Sequence, residues 1–314
     1  MYTVKIMLTQ IKKEKLILIV VIFFAASFFL YLFIDYKYNI SPSSTSEVKE
    51  NETPYKEEVR VVDPVAEKEA QALEKFIPNK INKGLVKESY ITGMTQYPKL
   101  TWNTIAISHE EPRIGLRIDY PKFNGDLVVS GLNKYINDRV DSMIEDSKKD
   151  TVRLIRNAPD DIGSSLQLSL DYKVVGVTSG VVSIELTSVD LTGGGNGDHS
   201  YPITINWDLK KDRLLKNEEL FCDTNYIEKL IPVVRKNIIT DFSSFEGGPQ
   251  SVPKEIVEWV NRGTENDKEN WDNFVISKDG LIIVFPPYQV TSGSGGIVKA
   301  FVSYKDIPGV ICLP

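Results

Sequence analysis

The chain is 314 residues long and carries a formal charge of −6, with 42% hydrophobic and 10% aromatic residues. That composition suits a globular protein and excludes a wholly disordered chain. The acidic balance argues against nucleic acid as a partner and against a chain lying on anionic lipid; it suits a cationic partner.

Residues 16–34 read LILIVVIFFAASFFLYLFI, nineteen residues without a charge. A helix of that length covers the hydrocarbon core of a bilayer. Residues 1–15 set four lysines against one glutamate, a side-chain balance of +3, and Asp35 and Lys37 cancel just beyond the stretch. Positive flanks stay on the cytoplasmic side. The expected arrangement is a cytoplasmic tail at 1–15, a single transmembrane anchor at 16–34 and an extracytoplasmic remainder bearing −9. A cleaved signal peptide would have a shorter apolar run followed by small residues; here DYKYNISP follows, so the anchor is read as retained.

Residues 35–100 are expected to be a tether, partly disordered. SPSSTSEVKENETPYKEEVRVV at 41–62 has too few large apolar groups to offset its ordering entropy. A short helix is expected over Pro64–Lys75, riding on this linker. The folded part is placed at 101–314, in two subdomains of about 101–190 and 191–314. Strands are predicted at Trp102–His109 and Ile114–Tyr120. The long helix of Asp126–Asp150 sets Leu132, Ile136, Val140 and Ile144 on one face, with Ser130 as its N-cap. Alternating runs follow at Leu166–Val175, Val181–Leu191 and Tyr201–Leu209, each read as having one buried and one wet face. Gly193–Asp198 forms a loop between the last two. Helices are expected over Asp223–Phe242, interrupted or begun late by Pro232, and over Val252–Arg262, with Pro253 in its first turn. A hairpin at Asn273–Phe285 turns through Lys278-Asp279-Gly280, and a strand at Ile297–Tyr304 closes the chain. This order predicts an α+β fold, an antiparallel sheet packed with helices.

Several runs together resemble the RsiV/PdaC-type extracytoplasmic family. They are RIDYPKF at 117–123, the helix with LNKYIN at 132–137, VVSIELTSVDLTGGG at 181–195, YPITINWDLKKDRLLKNEELF at 201–221, and LIIVFPPYQVTSGSGGIVKAFVSYKDI at 281–307. The resemblance covers roughly Ile105 to Ile307. It implies kinship with membrane-bound anti-sigma factors, some of which sense lysozyme, and with proteins carrying an appended polysaccharide deacetylase domain. This sequence departs from both. Residues 1–15 are too few to wrap a sigma factor, and His109 and His199 alone cannot supply the deacetylase metal set. Where the family carries Gly-Gly-Ala-His, the loop here reads Gly193-Gly194-Gly195-Asn196.

Candidate chemistry is sparse. Asp198 and His199, with Asp190 nearby, could bind a metal or exchange protons; the alternative is a glycine-rich hairpin with Asp and His capping the turn. His109-Glu110-Glu111 offers a base and two carboxylates, or merely a turn between strands. Tyr288, in Phe285-Pro286-Pro287-Tyr288, offers an aromatic contact or a structural turn. TSGSGG at 291–296 precedes a strand and is not a phosphate cradle. Trp207, Trp259 and Trp271 are core residues or a sugar platform. Cys222 and Cys312 either form a disulfide, if the C-terminal tail returns to the start of a helix, or are two separate buried thiols; Cα atoms within about 7 Å decide. No metal set is spaced for binding, and no cofactor is expected.

The sequence thus predicts a membrane-anchored extracytoplasmic binding or sensing module of the cell envelope, non-enzymatic, with an envelope protein or glycan as partner. Its binding candidates are Asp198, His199 and Tyr288. The alternative is a cell-envelope glycan hydrolase or deacetylase-like enzyme using His199 and Asp198.

Overall fold

The computed structural model describes residues 63–84, 87–90, 99–125, 129–157, 165–192, 200–246 and 252–313. The expected anchor at 16–34 and the expected loop at Gly193–Asp198 lie outside them. Among the described residues no helix is long and apolar enough to cross a membrane. The elements are α1 (Pro64–Lys75), β1 (Ile81–Asn82), β2 (Lys87–Tyr90), β3 (Lys99–Glu111), β4 (Ile114–Asn124), α2 (Ser130–Asn157), β5 (Leu166–Thr178), β6 (Val181–Asp190), β7 (Ser200–Asp208), β8 (Arg213–Leu214), α3 (Asn217–Leu220), α4 (Tyr226–Glu246), α5 (Lys254–Gly263), β9 (Phe274–Ile276), β10 (Gly280–Phe285) and β11 (Val298–Ser303).

The result is an α+β fold whose sheets are largely antiparallel and packed with helices. The large sheet runs β1-β3-β4-β5-β6-β7-β8, with β2 also on β3. Only β4 and β5 are parallel neighbours among its named pairs, and α2 makes the long crossover that such a pair requires. The stripe of Leu132, Ile136, Val140 and Ile144 is buried against this sheet as the spacing predicted. The helix runs on to Asn157, and Ser130 is its first residue rather than a cap outside it.

Helix α1 occupies its expected span but is not a passenger on a linker. Ala66, Ala70 and Leu73 enter the first core. Arg156 of α2 pairs with Glu67 and Glu74 at 3.0 and 3.1 Å, and the buried Lys148 ammonium donates to the Phe76 carbonyl at 2.9 Å. The folded body therefore reaches back to residue 63, into the stretch read as tether. Its buried stripe is narrow because two of the three buried residues are alanines, which fit where helices approach closely.

A second core gathers α4, α5 and the three-stranded sheet β11-β10-β9. Helix α4 runs unbroken through Pro232, its seventh residue. Both Pro232 and Glu228 lie on the exposed side. Water there can take the Glu228 carbonyl that proline leaves unserved, while Leu230, Val234 and Ile238 anchor the buried side. Pro253 is the N-cap of α5, one position before the helix.

Strand β6 is shared by the two cores, and at Ser183 and Glu185 the expected wet face is absent. Val182, Ile184 and Leu186 join the first core, whereas Val181 joins the second. Ser183 and Glu185, alternate with the former, are also buried. The Glu185 carboxylate lies 2.5 Å from Lys299 Nζ of β11. The Ser183 hydroxyl accepts the Ile276 N–H at 3.1 Å and donates to Asn206 Oδ1 at 2.6 Å, and Asn206 Nδ2 donates to the Phe274 carbonyl at 2.8 Å. The polar half of the alternation faces another part of the same chain instead of water.

Removing one member of this dock strands a buried backbone group, which costs roughly 1–3 kcal/mol. Asn206→Ala and Ser183→Ala should each lower the unfolding free energy by that amount in denaturant titration. The double variant should cost less than their sum because the three bonds share partners. A second expectation concerns Tyr304, whose hydroxyl donates to the Ser277 carbonyl at 2.9 Å. Burial, with Asp279 adding, pushes this phenol up to about 12. A free tyrosine ionises near 10, so the unfolded chain loses its proton first. The folded state should lose stability as pH rises from about 10 to 12. Tyr304→Phe should flatten that decline in melting temperature measured against pH.

Candidate functional site

The turn after β10 is fixed from several sides. The side-chain amide of Gln289 donates to the carbonyls of Gly263 and Asn270 at 2.9 and 3.0 Å, and Val290 and Thr291 are buried. Between the prolines and Gln289 stands Tyr288, with φ of 69°. Left-handed backbone costs a bulky residue about 1–3 kcal/mol and persists only where the surroundings over-determine it. The ring leans over Gly293, where an added Cβ would lie 2.2 Å from Tyr288 Cζ. Even so, Tyr288 is 64% exposed. An aromatic side chain is thus presented to solvent from a rigid base. Arg262 of α5 stacks its guanidinium 4.3 Å above the half-buried Trp259 ring, so Trp259 is neither fully core nor a bare platform. Trp207 and Trp271 are buried, each with its indole N–H bonded, to Asp212 and to the Glu265 carbonyl.

The other candidates separate. Asp198 and His199 lie outside the described residues. Asp190, grouped with them by sequence, accepts from the Ser147 hydroxyl and from the Thr192 N–H, the work of a residue that ties a strand end to a helix. His109, Glu110 and Glu111 fall on one strand, so alternation divides them. His109 packs at a tilt against Phe76 with centroids 4.6 Å apart and comes within 3.4 Å of Glu111, while Glu110 points to the opposite face. They do not converge as a base between two carboxylates. Among the described residues no group of three or more His, Cys, Asp or Glu is arranged to hold a metal ion. Gly293–Gly295 forms a single 3-10 turn that leads into β11.

Cys222 and Cys312 form a disulfide, with Cα atoms 5.4 Å apart. Neither is a buried thiol; both positions are exposed. The tail returns to the start of the helical segment by a short ladder of its own. Phe221 bridges Ile311, Cys222 N–H donates to the Val310 carbonyl at 2.9 Å, and Cys312 N–H donates to the Leu220 carbonyl at 2.6 Å. Phe221 also stacks on Tyr226 at 3.8 Å. Sequence reasoning passed over Gln289, because a glutamine after a Pro-Pro-Tyr run carries no signal of the distant carbonyls it binds.

A family model described as "Protein of unknown function (DUF3298)" matches residues 213–305, which include the Tyr288 turn. The chain is 26% identical over 169 residues to "Peptidoglycan-N-acetylmuramic acid deacetylase PdaC" of Bacillus subtilis (strain 168), a match covering 50% of this chain and 33% of that protein. The chain therefore spans about a third of the length of that curated relative. A solved DUF3298 member from Bacteroides fragilis NCTC 9343 aligns over 75% of this chain and 94% of its own, at 16% identity and TM-score 0.47. Another from Pseudomonas aeruginosa PAO1 aligns over 76% and 95%, at 13% identity and TM-score 0.45.

The disulfide closes a loop with a sequence separation of 90, which the chain-entropy model values at about 4–5 kcal/mol. Unreduced, denatured protein should show no reactive thiol. Cys222→Ser/Cys312→Ser should unfold at distinctly lower denaturant, with the C-terminal amides after Ile307 losing exchange protection first.

Proposed function

We propose that this chain is an extracytoplasmic contact module of the PdaC/RsiV-like kind. In this reading residues 16–34 anchor it in the cell membrane with residues 1–15 in the cytoplasm, and it binds an envelope protein or glycan rather than catalysing a reaction. The observation that carries this reading is Tyr288. A strained, exposed aromatic on a base pinned by Gln289 suits recognition, since tyrosine supplies large contact area at small entropic cost. The matched relative acts on N-acetylmuramic acid of peptidoglycan by its name, which supports reading this chain as an envelope-associated module. The acidic charge beyond the anchor favours a cationic partner surface. The competing hydrolase or deacetylase-like reading rests on Asp198 and His199. It loses Asp190 as a third group, because that carboxylate is already engaged.

The test is retention of the full chain, in detergent micelles, on cell-wall sacculi and on immobilised envelope proteins. Tyr288→Ala should weaken retention about tenfold or more, as expected of an exposed aromatic anchor, with an unchanged melting temperature. Equal retention of Tyr288→Ala, or turnover of glycan fragments that His199→Ala abolishes, would overturn the reading.

A further inference from the structure

The four central strands of the large sheet carry a second surface that the Tyr288 turn does not use. The register sets Ser108 opposite Arg117, Arg117 opposite Ser169, and Ser169 opposite Val189. Two residues along each strand, Glu110 lies opposite Gly115 and Gly115 opposite Gln167, while Leu191 N–H bonds the Gln167 carbonyl. Positions two apart on a strand share a face, so these are two parallel rows on one side of the sheet. They line an open cleft of about 340 Å³, within the range of small-ligand sites. Three inter-strand spacings make the rows about 14 Å long. Gly115 leaves room for the Gln167 side chain to lie across the sheet. The Gln167 amide lies where a side chain at that glycine would be, with Oε1 2.2 Å from an added Cβ.

The chemistry of the rows selects a ligand. Among the described residues Arg117 has no ion-pair partner. It stands between two serine hydroxyls, with the Gln167 amide and the Glu110 carboxylate in the adjacent row. Glu110 in the adjacent row offsets the one guanidinium, so the rows carry no net positive charge and a phosphate or polyanion is disfavoured. Apolar surface is confined to one end, at Val189 and Leu191, which is too little for a lipid or an aromatic ligand. The rows lie on a sheet face whose backbone groups are paired within the sheet, so an extended peptide gains no strand pairing there. A polyhydroxylated chain needs what is present: planar groups that donate to or accept from neighbouring hydroxyls, and a small apolar patch for the C–H side of a ring.

We propose that the cleft across β3, β4, β5 and β6 binds a short neutral oligosaccharide, with Arg117, Gln167 and Glu110 holding its hydroxyls and Leu191 covering its apolar end. This site is built from different elements than the Tyr288 turn and stands or falls without it.

The experiment is titration of the full chain in detergent micelles with chitotetraose, cellotetraose and inorganic phosphate, read by calorimetry. At least one oligosaccharide should bind in the millimolar range or tighter. Arg117→Ala and Gln167→Ala should each weaken it about tenfold at unchanged melting temperature, each removing a hydrogen-bonding group from the ligand. Gly115→Leu, whose side chain would displace the Gln167 amide, should abolish it. Absence of binding by both oligosaccharides, tighter binding of phosphate, or equal affinity in Arg117→Ala and Gln167→Ala would overturn the proposal.

Discussion

The small sheet ends in β9, and the edge of a sheet is a row of unpaired backbone groups that must be satisfied or kept from other chains. In β9 the groups of Phe274 and Ile276 point away from β10, because Val275 occupies the bonded pair with Ile282 in that register. Ser183 and Asn206 receive them. Two side chains on the face of the large sheet thus stand in for a missing strand. Everything C-terminal to β8 depends on that placement. Once β9 is held, β10 and β11 follow by pairing, α4 covers them, and the turn after β10 that carries Tyr288 is fixed relative to α5.

The dock also ties the two cores together through polar groups. Beside the three hydrogen bonds lies Glu185, a buried carboxylate paired with Lys299 of β11. Removing Lys299 is costly, since the buried Glu185 carboxylate is then left without compensation. Hydrophobic burial alone would hold the second layer without fixing its register. Polar groups that fit in one alignment specify that alignment.

Much of the first core was legible from residue spacing. The four-residue steps of α2 and the alternation of β5 declare which atoms must leave water, whatever the rest of the chain does. The second face of β6 was not legible. Ser183 and Glu185 read as solvent-facing, and only residues about ninety to a hundred and fifteen positions later, Ile276 and Lys299, make them internal. Pro232 misled for a related reason: its cost falls on a carbonyl that the exposed side of α4 leaves to water. At the candidate site the aromatic was visible and its setting was not. The left-handed backbone of Tyr288 and the grip of Gln289 are tertiary facts. Arg117 was visible as a charge in a strand, but the row that includes Ser108 and Ser169 exists only through strand pairing.

The central claim is that the Ser183–Asn206 dock makes the second sheet unfold only with the first. Native-state hydrogen exchange of the Ile276 amide tests it most directly, with the Ile184 amide of β6 as reference. The account predicts one opening free energy and one denaturant slope for both, equal to those of global unfolding. An Ile276 amide that exchanges through a separate opening, several kcal/mol lower and with a smaller slope, would contradict it.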